Sequence, residues 1–273
     1  MTTVFRPGDA YPVMLGDLAQ TFPDWLAQRR ASGILLLTDT NTRRHCLPLF
    51  LKATGLPADT PVVEIPAGES RKNVATCISL WEHMLQERLD RHALVINLGG
   101  GVIGDMGGFC AATWKRGVDF VQVPTTLLSM TDAAIGGKLG IDFQQVKNTI
   151  GVFQNPAAVF VDPAFLKTLP ERELRSGFAE VIKHALIGAP ERWNMVRDYM
   201  PERLSMASSE TWLEILRLSI AVKVRVVTED PHEKGIRMLL NYGHTIGHAL
   251  ESYSLETDDP LTHGEAIAIG MLT

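Results

Sequence analysis

Between Arg237 and Glu251 lie five residues able to bind ions or polar ligands. Arg237, Asn241, His244, His248 and Glu251 fall at offsets 0, 4, 7, 11 and 14. On one α-helix that spacing predicts a single polar stripe. Met238, Leu239, Leu240, Ile246, Ala249 and Leu250 fill much of the remaining surface and predict burial on several sides. An unpaired buried polar group costs about 1–3 kcal/mol, so such a stripe needs partners or ligands. His244 and His248 stand at i, i+4, as in paired metal-binding imidazoles, although Thr245 occupies the place of the glutamate in HExxH. Glu180, Lys183 and His184 form a second carboxylate–imidazole segment, and His263-Gly264-Glu265 opens a third. A carboxylate with two imidazoles and one open position is a common catalytic metal arrangement. The residues alone leave six candidate ligands: Glu180, His184, His244, His248, His263 and Glu265.

Two glycine-rich segments suit anions. Gly99-Gly100-Gly101-Val102-Ile103-Gly104-Asp105 directly follows an apolar run and opens a helix-like stretch. Glycines there let backbone amides approach a pyrophosphate at a helix N-terminus. The spacing departs from GxGxxG, and no acidic residue ends a second strand about twenty positions later. Gly136-Gly137-Lys138 with Lys147-Asn148 combines amides, two ammonium groups and a carboxamide, which suits phosphate or carboxylate.

The elements that must position these residues change character along the chain. The runs 34–37, 61–65, 93–98, 120–123 and 158–161 are rich in Val, Ile and Leu and are closed by Gly, Pro or Asp. Separated by helical segments, they predict a mostly parallel α/β sheet. From Glu171 to Ile187, Ala207 to Val227 and Gly235 to Ser252 the period is helical. A boundary is therefore expected near residue 170, dividing 1–170, an α/β domain, from 171–273, an all-α domain, with a ligand cleft between them. The apolar end, Glu265 to Thr273, has no polar tail and predicts a chain truncated at its C-terminus.

Composition narrows the function classes. The chain has 273 residues, 45% of them hydrophobic and 21% charged, in the range of a globular protein with a full core. A formal charge of -5 gives no reason to expect nucleic acid or an anionic membrane as partner. Cys46, Cys77 and Cys110 lack metal-knuckle spacing and predict buried thiols in a reducing compartment. The N-terminus shows no signal-peptide pattern, and no apolar run approaches the roughly 18 residues of a membrane span. A cytoplasmic protein is expected.

Taken as an ordered set, the motifs resemble the 3-dehydroquinate synthase family of the sugar phosphate cyclases. The resemblance is carried by Gly99 to Asp105, Arg116 to Leu128, Gly136-Gly137-Lys138, Lys147-Asn148 and Thr168 to Leu174. It continues through Ala179 to Lys183, Asn241 to His248 and His263 to Ala266, in order from about Asp39 to the last residue. It implies an N-terminal Rossmann-like domain followed by a helical domain, and a homodimer. It also implies a phosphorus–oxygen lyase of the shikimate pathway, turning 3-deoxy-arabino-heptulosonate 7-phosphate into 3-dehydroquinate and phosphate. NAD and Zn²⁺ or Co²⁺ are the implied cofactors. In the implied chemistry NAD transiently oxidises a substrate hydroxyl, phosphate leaves, the ketone is reduced again, and ring opening precedes an aldol closure.

The resemblance also implies roles. Glu180, His244 and His263 become the metal ligands, and His248 a phosphate contact. Asp39, Asn41, Glu69, Lys72, Gly100, Gly101, Asp105, Thr125, Thr126, Lys147 and Thr168 would line the NAD site. Lys138, Asn148, Asn241 and His248 would hold the phosphate, with Arg116 reaching in from a neighbouring subunit. Arg237 and Lys223 would meet the carboxylate, and Asp132 and Lys183 would sit at the reacting hydroxyls. This chain departs from the family pattern at Ala133-Ala134-Ile135, Leu139, Gly107 and Trp114. The family's C-terminal portion, with a further phosphate-binding lysine, is absent from the sequence. Alternatives are a cyclase making another cyclitol, for which a carboxylate-binding Arg237 would be superfluous, and an inactive fragment that binds NAD or dimerises. Glycerol and iron-type alcohol dehydrogenases share the implied fold, but Arg116, Lys138 and Asn148 together argue against them.

Overall fold

The Val- and Leu-rich runs become the strands of one sheet. The structure, a computed structural model, describes residues 2–144, 146–199, 204, 206–255 and 257–273. In chain order the first elements are β1 (Thr3–Phe5), β2 (Val13–Leu15), α1 (Leu18–Ala27), β3 (Ile34–Asp39), α2 (Thr40–His45), α3 (Leu47–Thr54), β4 (Val62–Ile65) and α4 (Val74–Gln86). There follow β5 (Leu94–Gly99), α5 (Gly101–Thr113), β6 (Asp119–Pro124), β7 (Lys138–Phe143), β8 (Val146–Phe153) and β9 (Ala158–Val161). The rest is helical: α6 (Glu171–Gly188), α7 (Trp193–Asp198), α8 (Ser209–Glu229), α9 (His244–Ser254) and α10 (His263–Leu272).

The sheet order is β1-β2-β9-β6-β5-β3-β4, parallel except for the antiparallel β1–β2 pair at one edge. Both faces are covered. Leu36, Leu94, Ile96 and Leu98 point into a core with Phe22 and Phe50 of α1 and α3, and with Phe178 and Ile220 of α6 and α8. Leu35, Leu37 and Val95 point into the opposite core, with Leu80 of α4 and Ile103 and Phe109 of α5. Burial on both faces explains why the inner strands read as continuous apolar runs. The expected parallel α/β sheet followed by helices is present. The short edge strands β1 and β2 lay outside the sequence expectation, being too short to show a period.

Two segments differ from expectation. Gly136-Gly137-Lys138 and Lys147-Asn148, read as an anion-binding candidate, belong to an antiparallel hairpin in which Lys138 pairs with Phe153 and Ile141 with Ile150. Much of their backbone is therefore engaged in the ladder. Leu139 and Ile141 are buried against α5, and Leu139 lies where a Cβ on Gly108 would come within 2.5 Å. The departure at Gly107 has a local reason too, because a Cβ there would meet Asn97 Oδ1 at 2.1 Å.

The expected continuous helix over 235–252 is broken. Ile236–Asn241 forms 3-10 turns, Tyr242 is extended, and Gly243 adopts φ 80° before α9 begins at His244. Packing requires glycine at the break: a Cβ on Gly243 would lie 2.7 Å from Met271 Cγ and 2.9 Å from the Ile267 carbonyl. The five-residue stripe from Arg237 to Glu251 is thus two separate pieces. The predicted burial on several sides also fails, since Met238, Leu239, Tyr242 and Ile246 are exposed. No helix among the described residues is long and apolar enough to cross a membrane.

Candidate metal, nucleotide and substrate site

The carboxyl ends of the parallel strands carry one group of site residues. Asp39 ends β3, Gly99-Gly100-Gly101 joins β5 to α5, and Thr125-Thr126 follows β6. The chain leaves β3 toward β4 but leaves β5 toward β6, which makes the β3/β5 crevice the topological switch point of the sheet. Gly100 is the N-cap of α5, so its turn presents helix amides to that crevice. A Cβ on Gly99 would come within 2.6 Å of Ile103, which explains glycine there. Asp39 is engaged locally as well, capping α2 by accepting from the amides of Asn41 and Thr42 at 2.9 and 2.8 Å. Thr168 closes on Phe165 O at 2.8 Å, and Glu69 is exposed.

Lys72 joins this group to the hairpin. Its Nζ, almost wholly buried, donates to Asp105 Oδ2 and to Asn148 Oδ1, both at 2.6 Å. Asn148 has φ 54°, a conformation that asparagine tolerates better than most residues. Asp142 Oδ1 accepts the Asn148 amide at 2.8 Å and holds it there. Asp142 had no signal in the sequence, because only the hairpin brings it opposite Asn148.

The second group lies where α6, α8, α9 and α10 meet. Glu180 is fully buried, and its Oε1 is 3.8 Å from His263 Nε2 and 4.0 Å from His244 Nε2. Neither Glu180 oxygen has a hydrogen-bond partner, although Lys183 Nζ stands in ionic contact with Oε2. His244, His248 and His263 present ring nitrogens within 4.8 Å of one another. Burial, then the nearby Lys183 ammonium, lowers His244 to about 4, so its ring is neutral at pH 7. Donors at about 2.0–2.2 Å from one zinc ion lie within about 4.4 Å of each other. Two imidazole nitrogens and an orphaned carboxylate oxygen at these spacings fit a divalent cation. His248 is more exposed and is not within 4.0 Å of Glu180, which favours Glu180, His244 and His263 over an i, i+4 chelate.

Asp132 sits beside this group in a π-helical turn, Ser129–Ala133, a form enriched at functional sites. Lys223 Nζ donates to Asp132 Oδ1 at 2.5 Å. Burial raises the Asp132 carboxyl, but Lys223, Lys183 and His184 outweigh it and hold it well below the usual carboxylate range. His184 lies 3.7 Å from Asp132 through Nε2 and 2.5 Å from Ser219 Oγ through Nδ1. Asp132, Glu180 and His184 also converge closely enough for a metal, but Lys223 already holds the Asp132 carboxylate and Ser219 engages His184. His184 and Glu265 leave the pool of ligands in this way. Glu265 is taken up by Arg172, at 2.8 and 2.9 Å, and by capping α10 with Thr262.

The residues expected at phosphate and carboxylate are only partly together. Lys138 and Asn241 converge on Glu233, Asn241 Nδ2 donating to its Oε1 at 2.6 Å. Glu233 gave no signal in the sequence. Arg237 is 1% exposed, and its guanidinium donates to the Pro231 carbonyl at 2.6 Å and to the Gly136 carbonyl at 3.0 Å, leaving Nε unpartnered. Arg237 thereby ties the Gly136-Gly137 turn to α8's exit. Tyr11 supports the same turn by accepting the Gly136 amide at 2.9 Å. Arg116 is exposed at the end of a 3-10 turn with φ 70°, and no contact within the described residues joins it to the others.

Sequence profiles of the 3-dehydroquinate synthase N-terminal and C-terminal domains match residues 62–176 and 177–273. The chain belongs to the 3-dehydroquinate synthase family. The 3-dehydroquinate synthase of Parabacteroides distasonis is 40% identical over 263 residues, covering 96% of this chain and 73% of that protein. The 3-dehydroquinate synthase of a Synechocystis species is 50% identical over 210 residues, covering 76% of this chain and 57% of that protein. The chain thus spans between about half and three-quarters of the length of such synthases. Among solved structures, 2-deoxy-scyllo-inosose synthase with carbaglucose-6-phosphate, NAD⁺ and Co²⁺ superposes with a TM-score of 0.84 at 26% identity, covering all of this chain and 74% of that one. The 2-epi-5-epi-valiolone synthase of Streptomyces hygroscopicus, with NAD⁺ and Zn²⁺, gives 0.82 at 29%, over 96% and 72%. The dehydroquinate synthase-like fold expected from the motifs is therefore the fold found.

Proposed function

We propose that this chain carries the activity of 3-dehydroquinate synthase, converting 3-deoxy-arabino-heptulosonate 7-phosphate to 3-dehydroquinate and phosphate. The observation that carries this reading is the gap in similarity. Identity is 40–50% to synthases of that name and 26–29% to synthases of other carbocycles that share the fold. NAD in the β3/β5 crevice and Zn²⁺ or Co²⁺ at Glu180, His244 and His263 complete the proposal. When bound, NAD supplies a hydride acceptor that returns its hydride, and the cation supplies Lewis acidity beside it.

The chain's own residues then have distinct tasks. Asp39, Asn41, Glu69, Lys72, Gly100, Gly101, Asp105, Thr125, Thr126, Lys147 and Thr168 line the nucleotide crevice. Lys138 and Asn241 exchange the Glu233 carboxylate for the substrate phosphate, joined by Asn148 and His248. Asp132, ionised and fixed by Lys223, accepts a hydrogen bond from a substrate hydroxyl and orients it. Lys183 offsets the Glu180 charge beside the same hydroxyls. Arg237 and Lys223 together supply positive charge for the substrate carboxylate, with Arg237 acting from behind the Gly136 turn. The proposal includes a division near residue 170, a cytoplasmic setting and a homodimer in which the exposed Arg116 serves the neighbouring site.

The test is direct. The protein with NAD and Co²⁺ should release inorganic phosphate from the heptulosonate phosphate and yield dehydroquinate. Release from a carboxylate-free hexose 6-phosphate instead would assign the chain to cyclitol synthesis.

A further inference from the structure

We propose that Glu251 is a positioning residue that sets the tautomer of His263 and so turns the lone pair of His263 Nε2 toward Glu180. The inference deepens the metal reading above and rests on it. Glu251 lies in the last turns of α9 and is 6% exposed. Its Oε2 is hydrogen-bonded to His263 Nδ1 at 3.4 Å. Its Oε1 accepts Lys147 Nζ at 2.7 Å, and Lys147 in turn lies 4.0 Å from Glu69. The Lys147 contact reaches across from β8 and pins the carboxylate against rotation, since both oxygens have fixed partners on different elements.

The chemistry follows from the donor inventory. An ionised carboxylate only accepts hydrogen bonds, so the ring nitrogen that faces it must carry the proton. Two carboxylates flank the His263 ring. The Glu251 contact at 3.4 Å has hydrogen-bond geometry, whereas the Glu180 contact at 3.8 Å, through Nε2, does not. The proton therefore resides on Nδ1, and Nε2 keeps a free pair directed at Glu180 and His244. Partners of this kind fix the orientation of a ligating imidazole, and their loss typically weakens metal binding by about 10- to 100-fold. In the sequence Glu251 is one more residue of a polar stripe; only the packing of α9 against α10 shows which imidazole it serves.

Two measurements test the inference. The first titrates the NAD-free protein with Co²⁺, following the visible absorption of the bound ion, for wild type, Glu180→Gln and Glu251→Gln. Expected is loss of binding in Glu180→Gln and a fall of about 10- to 100-fold in Glu251→Gln, with an altered spectrum. Binding by Glu251→Gln equal to wild type overturns the role of Glu251, while equal binding by Glu180→Gln strikes the metal reading itself. The second needs neither metal nor a variant at 251. Imidazole ¹⁵N shifts of the metal-free protein near pH 8, with the His263 signal assigned through His263→Asn, should show the Nδ1–H tautomer. The Nε2–H tautomer overturns the inference even where Glu251→Gln fails to fold.

Discussion

Lys223 reaches Asp132 across 91 positions of sequence to donate a 2.5 Å hydrogen bond. The contact joins α8 to the π-helical turn that follows β6, and so couples the helical half of the chain to the sheet. Breaking such a pair from one side leaves a charge without its partner. Lys223→Met should destabilise the fold by about 2–4 kcal/mol, and the double variant Lys223→Met/Asp132→Leu should recover most of that loss. Urea melts of the three variants measure it; a double variant no better than the single one contradicts the coupling.

Glu180 gives a sharper expectation, because it faces two imidazoles and one ammonium from a fully buried position. Glu180→Gln should abolish phosphate release at any Co²⁺ concentration the wild type saturates with. It should also cost stability in metal-free protein, since Lys183 loses its counter-charge; on the order of 3 kcal/mol is expected. Calorimetry at pH 7 reads this, and an unchanged midpoint would mean that Lys183 finds another partner.

Acid should unfold the metal-free protein in two windows. His244 is lowered from 6.5 to about 4, chiefly by burial. The unfolded chain therefore takes up its proton first, and stability is lost as pH falls from about 6.5 to 4. Glu251 and Glu265 are each held at about 2 against an ordinary value of 4.5. At Glu251, hydrogen bonds from His263 and Lys147 outweigh the opposing effect of burial. At Glu265 the Arg172 contact leads, and solvent screens much of its worth. Their contribution is present above about 4.5 and fades toward 2. Burial lowers His184 and His248 as well, so His244→Gln should shrink the upper window and leave the lower one, as followed by denaturant midpoints across pH.

Gly243 allows a backbone test of the site. Alanine there combines φ 80° with a Cβ 2.7 Å from Met271 Cγ. Gly243→Ala should cost at least about 1–2 kcal/mol and weaken Co²⁺ binding, because His244 is the next residue. Gly55, also at positive φ but with open space around it, provides the control: Gly55→Ala should cost stability and leave Co²⁺ binding intact.

Much of this arrangement could be read before any coordinate. The inner strands were visible because burial on both faces makes Leu94 to Leu98 and Ala158 to Val161 uniformly apolar. The family motifs name the site residues as a set, and the fold gathers His244, His248 and His263 together, with Glu180 beside His244 and His263. What escaped were partners that exist only through tertiary contact. Glu233, Asp142 and Glu251 are ordinary acidic residues until Lys138, the Asn148 amide and His263 are placed beside them. The broken helix escaped for a similar reason, since the sequence keeps helical spacing between Arg237 and Glu251, and only the close packing of α10 on Gly243 marks the kink. The resemblance implies that Arg237 meets a substrate carboxylate, whereas the carbonyls of Gly136 and Pro231 absorb most of its guanidinium.

The β7–β8 hairpin acts as a ruler. It carries Lys138 at its base and Lys147 beside its tip, with Leu139 and Ile141 fixing which face is inward. At about 3.4 Å per residue, the span from Lys138 to Asp142 is about 14 Å, and this sets how far apart the Lys138 and Lys147 ammonium groups can stand. Because side chains alternate, losing one residue from β7 would turn Leu139 outward and Lys138 inward together. The separation of the two cations is therefore tied to which face β7 presents, and the ladder takes up slack at the irregularity between Ile141 and Phe143.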